Sequence, residues 1–314
     1  MERPANHHPV VTVVGSFAVG MTIRTQRMPI FGETIVGSDF DMGPGGKGSN
    51  QAIGAARLGA NAFFCGIIGD DKLGEIATDV YAKEGVDTAY LKRTTTKATG
   101  VGIIIVDPTG HNGIILDMAA NELMDAQFVD GLEAQIKASE IVMTVLEIPV
   151  SAAARAMEIG RRHGVRTILN PAPATRLDDE VLRNVDFLTP NETELRILMG
   201  LPPDAPETTE SLAQELHARG VANLIVTMGA DGALIVNDNG VEHVPGIAVD
   251  VVDTTGAGDA FNAGLAIALA DGRSLLQAVR FANCAGAIGC TKLGVIPSLG
   301  SRNAVDVLYA QQYG

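Results

Sequence analysis

The sequence predicts an α/β protein in which a mostly parallel central sheet lies between two layers of helices. Short apolar runs alternate with helical patterns along most of the 314 residues, which is typical of repeated β-α-β units. Only 4% of the residues are aromatic and none is Trp, so aliphatic side chains have to fill the core. Such a core suits parallel strands that are buried on both faces. The length fits one large α/β domain, and we expect residues 1–314 to form it.

Apolar runs bounded by turn residues are predicted as strands, and segments with helical periodicity between them as helices. The predicted strands are Val10–Gly15, Ala62–Ile68, Ile141–Leu146, Arg166–Leu169, Val185–Thr189, Asn223–Met228 and Ala233–Val236. The predicted helices are Asn50–Leu58, Leu73–Glu84, Glu122–Lys137, Ser151–Arg162, Glu192–Met199, Ser211–Arg219, Ala257–Ala270 and Leu275–Thr291.

Two segments, about 20–42 and 98–118, interrupt this alternation. The first mixes Pro and Gly with β-branched residues, and the second predicts strands Val101–Val106 and Gly113–Leu116 around a turn at Asp107–His111. Together they predict a small antiparallel β flap over one edge of the sheet.

Composition excludes several classes of function. A formal net charge of -14 opposes binding to nucleic acid, although a local group of N–H donors could still hold a small anion. The three Cys give no disulfide framework and indicate reduced thiols in a cytoplasmic protein. No apolar run is long enough for a membrane span, and the first is too short for a signal peptide, so we expect no membrane association.

The glycine-rich segment Gly43–Gly48 resembles two nucleotide-binding motifs, and fits neither. It matches G-x-G-x-x-G, but it does not follow the first strand of a βαβ unit, so a dinucleotide site is not predicted. It also lacks the Ser or Thr that follows Lys in a P-loop.

The segment Val252–Phe261 carries the strongest signal for chemistry. Gly256, Ala257 and Gly258 open a predicted helix, where N–H groups and the helix dipole can hold a phosphate that small side chains let approach. Asp259 lies just inside the helix. Carboxylates are favoured in a first helical turn, but one beside an anion site also suits a base that accepts a proton from an attacking hydroxyl.

Further polar residues follow predicted strands or open helices, and each has two interpretations. Gly45, Gly46, Lys47 and Asn50 could contact a ligand or form a tight turn with a helix cap. Asn191 and Glu194 could form a capping box, or could bind a ligand and Mg²⁺ at the carboxyl edge of the sheet.

Two strand ends are also ambiguous. The Gly turn in Val226–Gly232 could serve a ligand or simply close a hairpin. Glu147, directly after an apolar strand, could bond sugar hydroxyls or be solvated.

These segments, in this order, resemble the ribokinase/PfkB family of sugar kinases along nearly the whole chain. Gly45-Gly-Lys-Gly-Ser-Asn50 is similar to the family's N-terminal signature, and Asp253-Thr-Thr-Gly-Ala-Gly-Asp259 to its highly specific C-terminal signature. Asn170-Pro-Ala-Pro173 and Pro190-Asn-Glu-Thr-Glu194 are similar to the ribokinase branch of the family.

The resemblance implies a ribokinase-like three-layer α/β/α sandwich with a β lid, and transfer of the γ-phosphoryl of ATP to a hydroxyl of a small sugar. It implies that Asp259 is the base and that Gly256, Ala257 and Gly258 form the anion hole. It also implies residue sets for the sugar (Gly45, Gly46, Lys47, Asn50 and Glu147), for the nucleotide with Mg²⁺ (Asn191, Glu194, Thr227, Gly229, Ala230, Asp231, Gly232, Gly258 and Asn283) and for a monovalent cation such as K⁺ (Asp253, Thr255, Gly289, Lys292, Gly294 and Ser298). Paired lids imply a homodimer.

One departure from the family pattern concerns the sugar. Ribokinases carry an Asn and an Asp soon after the first strand, both bonding ribose hydroxyls, whereas Ala18 and Gly20 stand at the matching positions here. Because a site that bonds hydroxyls discriminates steeply, by about 10⁴-fold or more for a lost bond, we expect ribose not to be the best substrate unless another residue replaces these contacts. A deoxysugar, another altered sugar, a polyol or a nucleoside would suit a less polar wall.

Two alternatives stay open beside the sugar kinase. A nucleoside kinase of the same fold could pack a base on Phe17 or Met21. A sugar-binding regulator could retain the fold without catalysis, although Asp259, the Gly-Ala-Gly-Asp turn and Glu194 argue against that loss.

Overall fold

The computed structural model describes residues 8–109 and 111–314, and its thirteen strands form two separate sheets. In chain order the strands are β1 Val10–Val14, β2 Ala18–Arg24, β3 Ser38–Gly45, β4 Asn61–Gly69, β5 Asp87–Thr94, β6 Gly100–Val106, β7 Asn112–Asp117, β8 Ile141–Val145, β9 Arg166–Asn170, β10 Phe187–Leu188, β11 Asn223–Thr227, β12 Ala233–Asn237 and β13 Gly240–Val244.

Twelve α-helices connect and cover these strands in the described part of the chain. They are α1 Lys47–Arg57, α2 Lys72–Glu84, α3 Ala126–Asp130, α4 Glu133–Lys137, α5 Val150–Arg162, α6 Asp179–Leu182, α7 Glu192–Leu198, α8 Thr209–Ala218, α9 Ala257–Ala270, α10 Leu275–Gly289, α11 Val295–Ser298 and α12 Arg302–Tyr313. None of these helices is long and apolar enough to cross a bilayer.

The larger sheet has nine strands in the order β13-β12-β11-β10-β9-β8-β1-β4-β5. The seven adjacent strands β11-β10-β9-β8-β1-β4-β5 are parallel to one another. Strands β12 and β13 extend the sheet beyond β11 as an antiparallel hairpin. Strand order reverses at β1, which pairs with β4 on one side and β8 on the other. In open α/β sheets the crevice beside such a reversal, at the carboxyl ends of the strands, is the usual ligand site.

Side chains that alternate along the strands divide the core into two apolar layers. Val11 and Val13 of β1 pack in one layer with α1, α2, α9 and α10, and Val14 packs in the other with α5, α7 and α8. Burial on both faces explains why the sequence shows continuous apolar runs instead of polar alternation.

The four-stranded second sheet, in the order β3-β2-β6-β7, lies where the flap is predicted. It is mixed and not antiparallel, because β2 and β6 pair in parallel, starting at Ala18 and Gly100. Both strands leave the larger sheet in the same direction, β2 after β1 and β6 after β5, which accounts for the parallel pairing. The predicted turn after β6 includes Gly110, which lies outside the described residues.

Several predicted elements are wrong or too long. The helix over 122–137 is three short pieces, a 3₁₀ turn at Ala119–Leu123 followed by α3 and α4. Asp125 breaks it, since its side chain accepts from the Phe128 amide at 2.7 Å and starts a new helix. The predicted strand at 185–189 is only the two residues of β10, and the predicted helix from Leu275 ends at Gly289.

Strands β5 and β13 and helices α6, α11 and α12 were not predicted. The two strands lie at the edges of the larger sheet, β5 partly and β13 mostly exposed, so their sequences lack the apolar runs of the central strands.

Candidate active site

Polar side chains meet at the carboxyl edge of the larger sheet. Ser16 follows β1, Glu147 follows β8, Asn170 ends β9 and Thr189 follows β10, and all four are buried. The amino-terminal turns of α1 and α9 lie at the same edge, where Lys47 of α1 bonds Glu147 and Asn262 of α9 bonds Thr189.

Asp259 lies in the first turn of α9 and is only 4% exposed. Each of its carboxylate oxygens accepts a side-chain amide from α1: Asn50 Nδ2 lies 2.8 Å from Oδ2, and Gln51 Nε2 lies 3.1 Å from Oδ1. No cation forms an ion pair with it among the described residues. The carboxylate is therefore fixed by neutral donors and retains lone pairs that can accept a proton.

Helix α9 begins after Gly256, which has φ 81° and ψ 0°. A left-handed residue followed by helical residues turns successive N–H groups toward one point, and the first amides of a helix have no acceptor within it. A Cβ at Gly256 would lie 2.4 Å from Val295 Cγ1, whereas a Cβ at Gly258 would meet nothing within 4 Å. At the predicted anion hole, Val295 therefore fills the space beside Gly256, whereas the space beside Gly258 is open.

The start of α1 is held by Glu147 and Ser16. Glu147 Oε2 accepts the Ser16 hydroxyl at 2.6 Å and the Lys47 amide at 2.8 Å. Gly46 caps the helix with φ 87°, and a Cβ there would lie 2.8 Å from the Ala18 amide. Strand β3 therefore turns directly into α1, and Gly45 to Asn50 form a junction rather than the loop expected from sequence.

Three carboxylates surround Lys47. Burial disfavours its ammonium, but these charges outweigh that effect and raise the pKa of Lys47. In order of effect they are Asp259, Glu147 and Glu194.

The carboxyl of Glu147 is buried, which excludes a solvated role. Burial raises its pKa, and the charge of Lys47 offsets part of that rise. Burial likewise raises the pKa of the half-buried Glu194, with Asp259 adding to the shift. Lys47, Glu147, Glu194 and Asp259 therefore form one electrostatic cluster. The sequence analysis had assigned Glu194 to the nucleotide and Lys47 and Glu147 to the sugar.

Asn191 and Glu194 form the capping box that was one of their two interpretations. Asn191 Oδ1 accepts the Glu194 amide at 2.8 Å, and Glu194 Oε2 accepts the Asn191 amide at 2.8 Å. The second carboxylate oxygen of Glu194 is not used by the cap, so a structural role and a ligand role are compatible.

The Gly turn after β11 lies beside this cap. Asn191 pairs with Thr227 in an isolated parallel bridge, and a short 3₁₀ turn, Gly229–Asp231, follows. Ala230 and Asp231 are exposed, while Gly232 packs against the backbone at Val244. Asn283 on α10 donates to the carbonyls of Val244 and Pro245, at 3.4 and 3.1 Å, so its amide nitrogen supports this turn from behind.

The predicted cation residues lie where two loops meet. Asp253 Oδ1 accepts the Thr255 amide at 2.9 Å and Oδ2 accepts the Gly294 amide at 3.0 Å. Burial would raise the pKa of Asp253, but these hydrogen bonds lower it overall, so its carboxylate is ionised. Ser298 is buried, and its hydroxyl donates to Val295 at 2.8 Å.

Gly289, at the end of α10, packs against Ala257 and Ala260 of α9. The exposed Lys292 lies in the loop between Gly289 and Gly294. Apart from the Lys292 ammonium, the set therefore offers one carboxylate, two hydroxyls and backbone carbonyls, which are hard oxygen donors of the kind that alkali cations take.

Strand β2 presents Ala18 and Gly20 on one face of the second sheet. Their partners are Gly45 and Gly43 of β3 and Gly100 and Gly102 of β6. A Cβ at Gly20 would lie 3.7 Å from Ile104 Cδ1, in ordinary contact. This wall offers small and apolar groups and no side-chain donor or acceptor at positions 18 and 20.

Sequence reasoning missed four polar residues that lie beside the predicted ones: Ser16, Gln51, Thr189 and Asn262. Thr189 Oγ1 donates to Asn262 Oδ1 at 2.6 Å, and Asn262 Nδ2 donates to the Gly258 carbonyl at 2.8 Å. A search for polar residues immediately after apolar strands would have found Ser16 and Thr189.

The arrangement brings a buried carboxylate, the amino-terminal turn of a helix and several buried polar side chains together at one edge of the sheet. An oxygen nucleophile beside Asp259 would face a phosphoryl group at Gly256–Gly258. Such geometry suits phosphoryl transfer to an alcohol, in which positioning and charge stabilisation provide most of the catalysis.

Comparison with known proteins identifies the family. The model for pfkB family carbohydrate kinases matches residues 9–302. The chain is 37% identical over 292 residues to a ribokinase of Haemophilus influenzae, covering 93% of this chain and 95% of that protein. It is 36% identical over 252 residues to a deoxyribokinase of Salmonella typhi, covering 80% and 82%. The structure of Arabidopsis thaliana ribokinase complexed with ribose and ATP superposes with a TM-score of 0.90 at 31% identity, covering 96% and 99%.

The chain belongs to the pfkB family of carbohydrate kinases. It is a sugar kinase with the ribokinase fold, and it transfers a phosphoryl group from ATP to an alcohol group of a small sugar.

Proposed function

We propose that Asp259 is the base of this kinase and that Gly256, Ala257 and Gly258 form its anion hole. The observation that carries the proposal is the position of Asp259, buried in the first turn of α9 with both oxygens held by neutral amides. The carboxylate accepts the proton of the attacking hydroxyl as the hydroxyl oxygen bonds to the γ-phosphorus, and the bond from the γ-phosphorus to its bridging oxygen breaks so that ADP leaves. The amides at the helix terminus stabilise the charge that develops on the phosphoryl oxygens.

The sugar binds between the start of α1 and the wall formed by β2. Gly45 and Gly46 let the backbone approach it, and Lys47, Asn50 and Glu147 bond its hydroxyls. Asn50 Oδ1 supports this role, because it is buried and accepts no hydrogen bond from the described residues. A hydroxyl donated to it would remove the cost of that unpaired acceptor.

The nucleotide lies along the Gly turn after β11. Thr227, Gly229, Ala230, Asp231 and Gly232 line its path, with Asn191, Gly258 and Asn283 beside it. Mg²⁺, when bound, neutralises phosphate charge, and Glu194 would hold it through water. The described residues contain no cluster of three or more His, Cys, Asp or Glu that could hold a metal, which suits an ion bound largely by the phosphates of ATP.

A monovalent cation such as K⁺ would lie beside the anion hole. Its ligands would be the oxygens of Asp253, Thr255, Gly289, Lys292, Gly294 and Ser298, mostly backbone carbonyls. The ionised Asp253 supports the proposal because it joins the two loops that carry these oxygens and supplies negative charge.

The preferred substrate is a small sugar with fewer hydroxyls than ribose to bond at the β2 wall, and a deoxypentose fits best. Ala18 and Gly20 offer no polar side chain there, so a missing hydroxyl leaves no buried group of the protein unpaired. One relative named above is a deoxyribokinase and another a ribokinase, so both substrates have to be compared.

The chain acts as one kinase domain in which the second sheet is a lid, and two lids pair to form a homodimer. The lid strands expose several large apolar side chains: Phe40, Met42, Ile103, Ile114, Ile115 and Leu116. A patch of this kind on a small sheet is stabilised when a second copy covers it. The enzyme works in the cytoplasm, where ATP is available and thiols such as the buried Cys65 and Cys284 stay reduced.

ATP consumption by the purified protein with Mg²⁺ and K⁺ tests the substrate. The panel contains ribose, 2-deoxyribose, hexoses, tetroses, polyols and nucleosides. We expect the highest kcat/KM with a deoxypentose. A highest value with ribose would overturn the substrate proposal, and a highest value with a nucleoside would replace the sugar by a nucleoside at this site.

A further inference from the structure

Gln51 is a fully buried residue that no part of the proposed reaction uses. It follows Asn50 on α1 and its exposed fraction is 0%. Its amide nitrogen lies 3.1 Å from Asp259 Oδ1 and also 3.1 Å from Asn170 Oδ1. An amide group has two N–H hydrogens, so Gln51 can satisfy both acceptors at once.

The orientation of this amide is determined by its partners. A carboxylate only accepts hydrogen bonds, so the Gln51 nitrogen, and not its oxygen, has to face Asp259. Asn170 is oriented in the same way, because its own nitrogen donates to the Thr189 carbonyl at 3.1 Å and leaves its oxygen toward Gln51. In this hydrogen-bonded series Thr189 orients the amide of Asn170, Asn170 orients that of Gln51, and Gln51 in turn bonds Asp259.

This series anchors Asp259 to the carboxyl edge of the larger sheet. Asn170 ends β9 and Thr189 follows β10, so the two residues belong to the rigid part of the fold. Thr189 also reaches Asn262 on α9, which bonds the Gly258 carbonyl in the proposed anion hole. The hydrogen-bonded series therefore contacts α9 at two points about one turn apart, Asp259 and Asn262.

The two amides on Asp259 have different surroundings. Asn50 uses its nitrogen on Asp259 alone. The oxygens of both amides, Asn50 Oδ1 and Gln51 Oε1, are buried and accept no hydrogen bond from the described residues, so the two side chains differ in the use of their nitrogens. Gln51 uses both hydrogens within the protein, one on Asp259 and one on the sheet. It has no N–H left for a substrate.

From this geometry we infer that Gln51 is a positioning residue that locks the carboxylate of Asp259 in the orientation needed to accept the substrate proton. The inference rests on the proposed role of Asp259. Without Gln51 the carboxylate can rotate about its side-chain bonds, held only by Asn50. Displacement of a catalytic group by about 1 Å can cost about 10²-fold in rate while substrate contacts are retained.

The experiment compares wild type with Gln51→Met and Gln51→Asn in steady-state kinetics with the best sugar of the panel. Met keeps the length and removes the donors, and Asn keeps the amide but is one methylene too short to hold both acceptors. We expect kcat to fall about 10- to 100-fold in both variants while KM for the sugar stays within about twofold.

The matched control is Gln135→Met, the same change at another buried glutamine. Gln135 lies on α4, and its side-chain nitrogen donates to Thr12 Oγ1 at 3.1 Å, on a strand residue outside the proposed site. It should lose thermal stability as Gln51→Met does but keep its kcat.

Asn170→Ala, alone and combined with Gln51→Met, tests the connection to the sheet. Because Asn170 acts through Gln51, the double variant should be no slower than Gln51→Met.

An unchanged kcat in folded Gln51→Asn, or a loss of kcat matched by Gln135→Met, would overturn the inference. Additive losses in the double variant would remove Asn170 from it. If wild type itself consumed no ATP with any sugar, the proposed function would fail and the role of Gln51 with it.

Discussion

At the scale of single residues, burial of charge sets the pH behaviour of the site. The pKa of Glu147 is raised by burial, so its carboxyl protonates at a higher pH than an exposed glutamate does. Protonation weakens the acceptor that holds the Lys47 amide and, as proposed, a sugar hydroxyl. The site is therefore competent above the raised pKa and loses affinity as pH falls through it.

We expect log(kcat/KM) for the sugar to fall on the acid side beginning above the usual range of a glutamate. Because kcat/KM reports ionisations of the free enzyme, this limb can be compared directly between variants. Glu147→Gln should lower kcat/KM at neutral pH and flatten the limb. A limb of unchanged position and slope in Glu147→Gln would assign it to another group, and Glu194 would be tested next.

The lack of polar groups at positions 18 and 20 allows a gain-of-function test. Gly20 does not have a positive φ, and a Cβ there makes only ordinary contacts, so the double change Ala18→Asn and Gly20→Asp should fold. We expect the ratio of kcat/KM for ribose to that for 2-deoxyribose to rise at least about tenfold. The new polar side chains can hydrogen-bond the additional hydroxyl of ribose, and they stay unpaired when 2-deoxyribose is bound. A ratio that does not change would mean that β2 does not contact the sugar.

At the scale of elements, the two glycines at the start of α9 are expected to have different roles, Gly256 in the stability of the fold and Gly258 in the reaction. Gly256→Ala places a Cβ 2.4 Å from Val295 at a φ of 81°, so it should cost about 1–3 kcal/mol of stability. Gly258→Ala meets nothing within 4 Å and lies in a regular helix, so it should leave stability unchanged or slightly raised.

Gly258→Ala should nevertheless lower kcat at least about tenfold, since its methyl group occupies the space proposed for the phosphoryl oxygens. Thermal denaturation and turnover measured on both variants check the pair. Normal turnover in Gly258→Ala would show that phosphate does not approach this turn.

The elements that could be predicted from sequence are those that the core determines. Continuous apolar runs at β1, β4, β8 and β11 are buried on both faces, so local sequence and fold agree. Edge strand β5 has only three consecutive non-polar or aromatic residues, flanked by polar and charged ones, and lacks that signal. The interruption before α3 depends on Asp125 acting as a cap, which periodicity does not reveal.

The site could be predicted only in part, for a similar reason. Asp259, Asn50 and Glu147 carry strong local signals in glycine-rich or strand-end contexts. Gln51 and Asn262 lie inside helical patterns, where a polar residue usually faces solvent. Their importance depends on the packing of α1 against α9, which joins positions about 200 residues apart.

At the scale of the whole molecule, the exposed lid predicts self-association. The double variant Ile114→Asp and Ile115→Asp puts charge on both faces of the lid sheet, so it should shift the protein from dimer to monomer in sedimentation velocity. Val307→Asp, an equally exposed apolar residue on α12, is the matched control and should remain dimeric. A monomeric wild type at all concentrations would contradict the proposal.

Net charge gives the dimer a second signature. Two copies that each carry -14 repel one another, so added salt should strengthen an apolar interface by screening this repulsion. An interface based on ion pairs would weaken instead. The salt dependence therefore tells which force holds the lids together.

The proposal that Asp259 is the base underlies both the proposed reaction and the role inferred for Gln51. The most direct measurement is the rate of sugar-dependent ATP consumption by Asp259→Asn under saturating substrates. An asparagine has nearly the same shape but cannot take up the proton, and one of its polar atoms becomes an NH₂ that faces an amide donor of Asn50 or Gln51. We predict a folded protein of somewhat lower thermal stability whose kcat is reduced by about 10² or more. A kcat close to that of wild type would show that another group accepts the proton and would contradict the account.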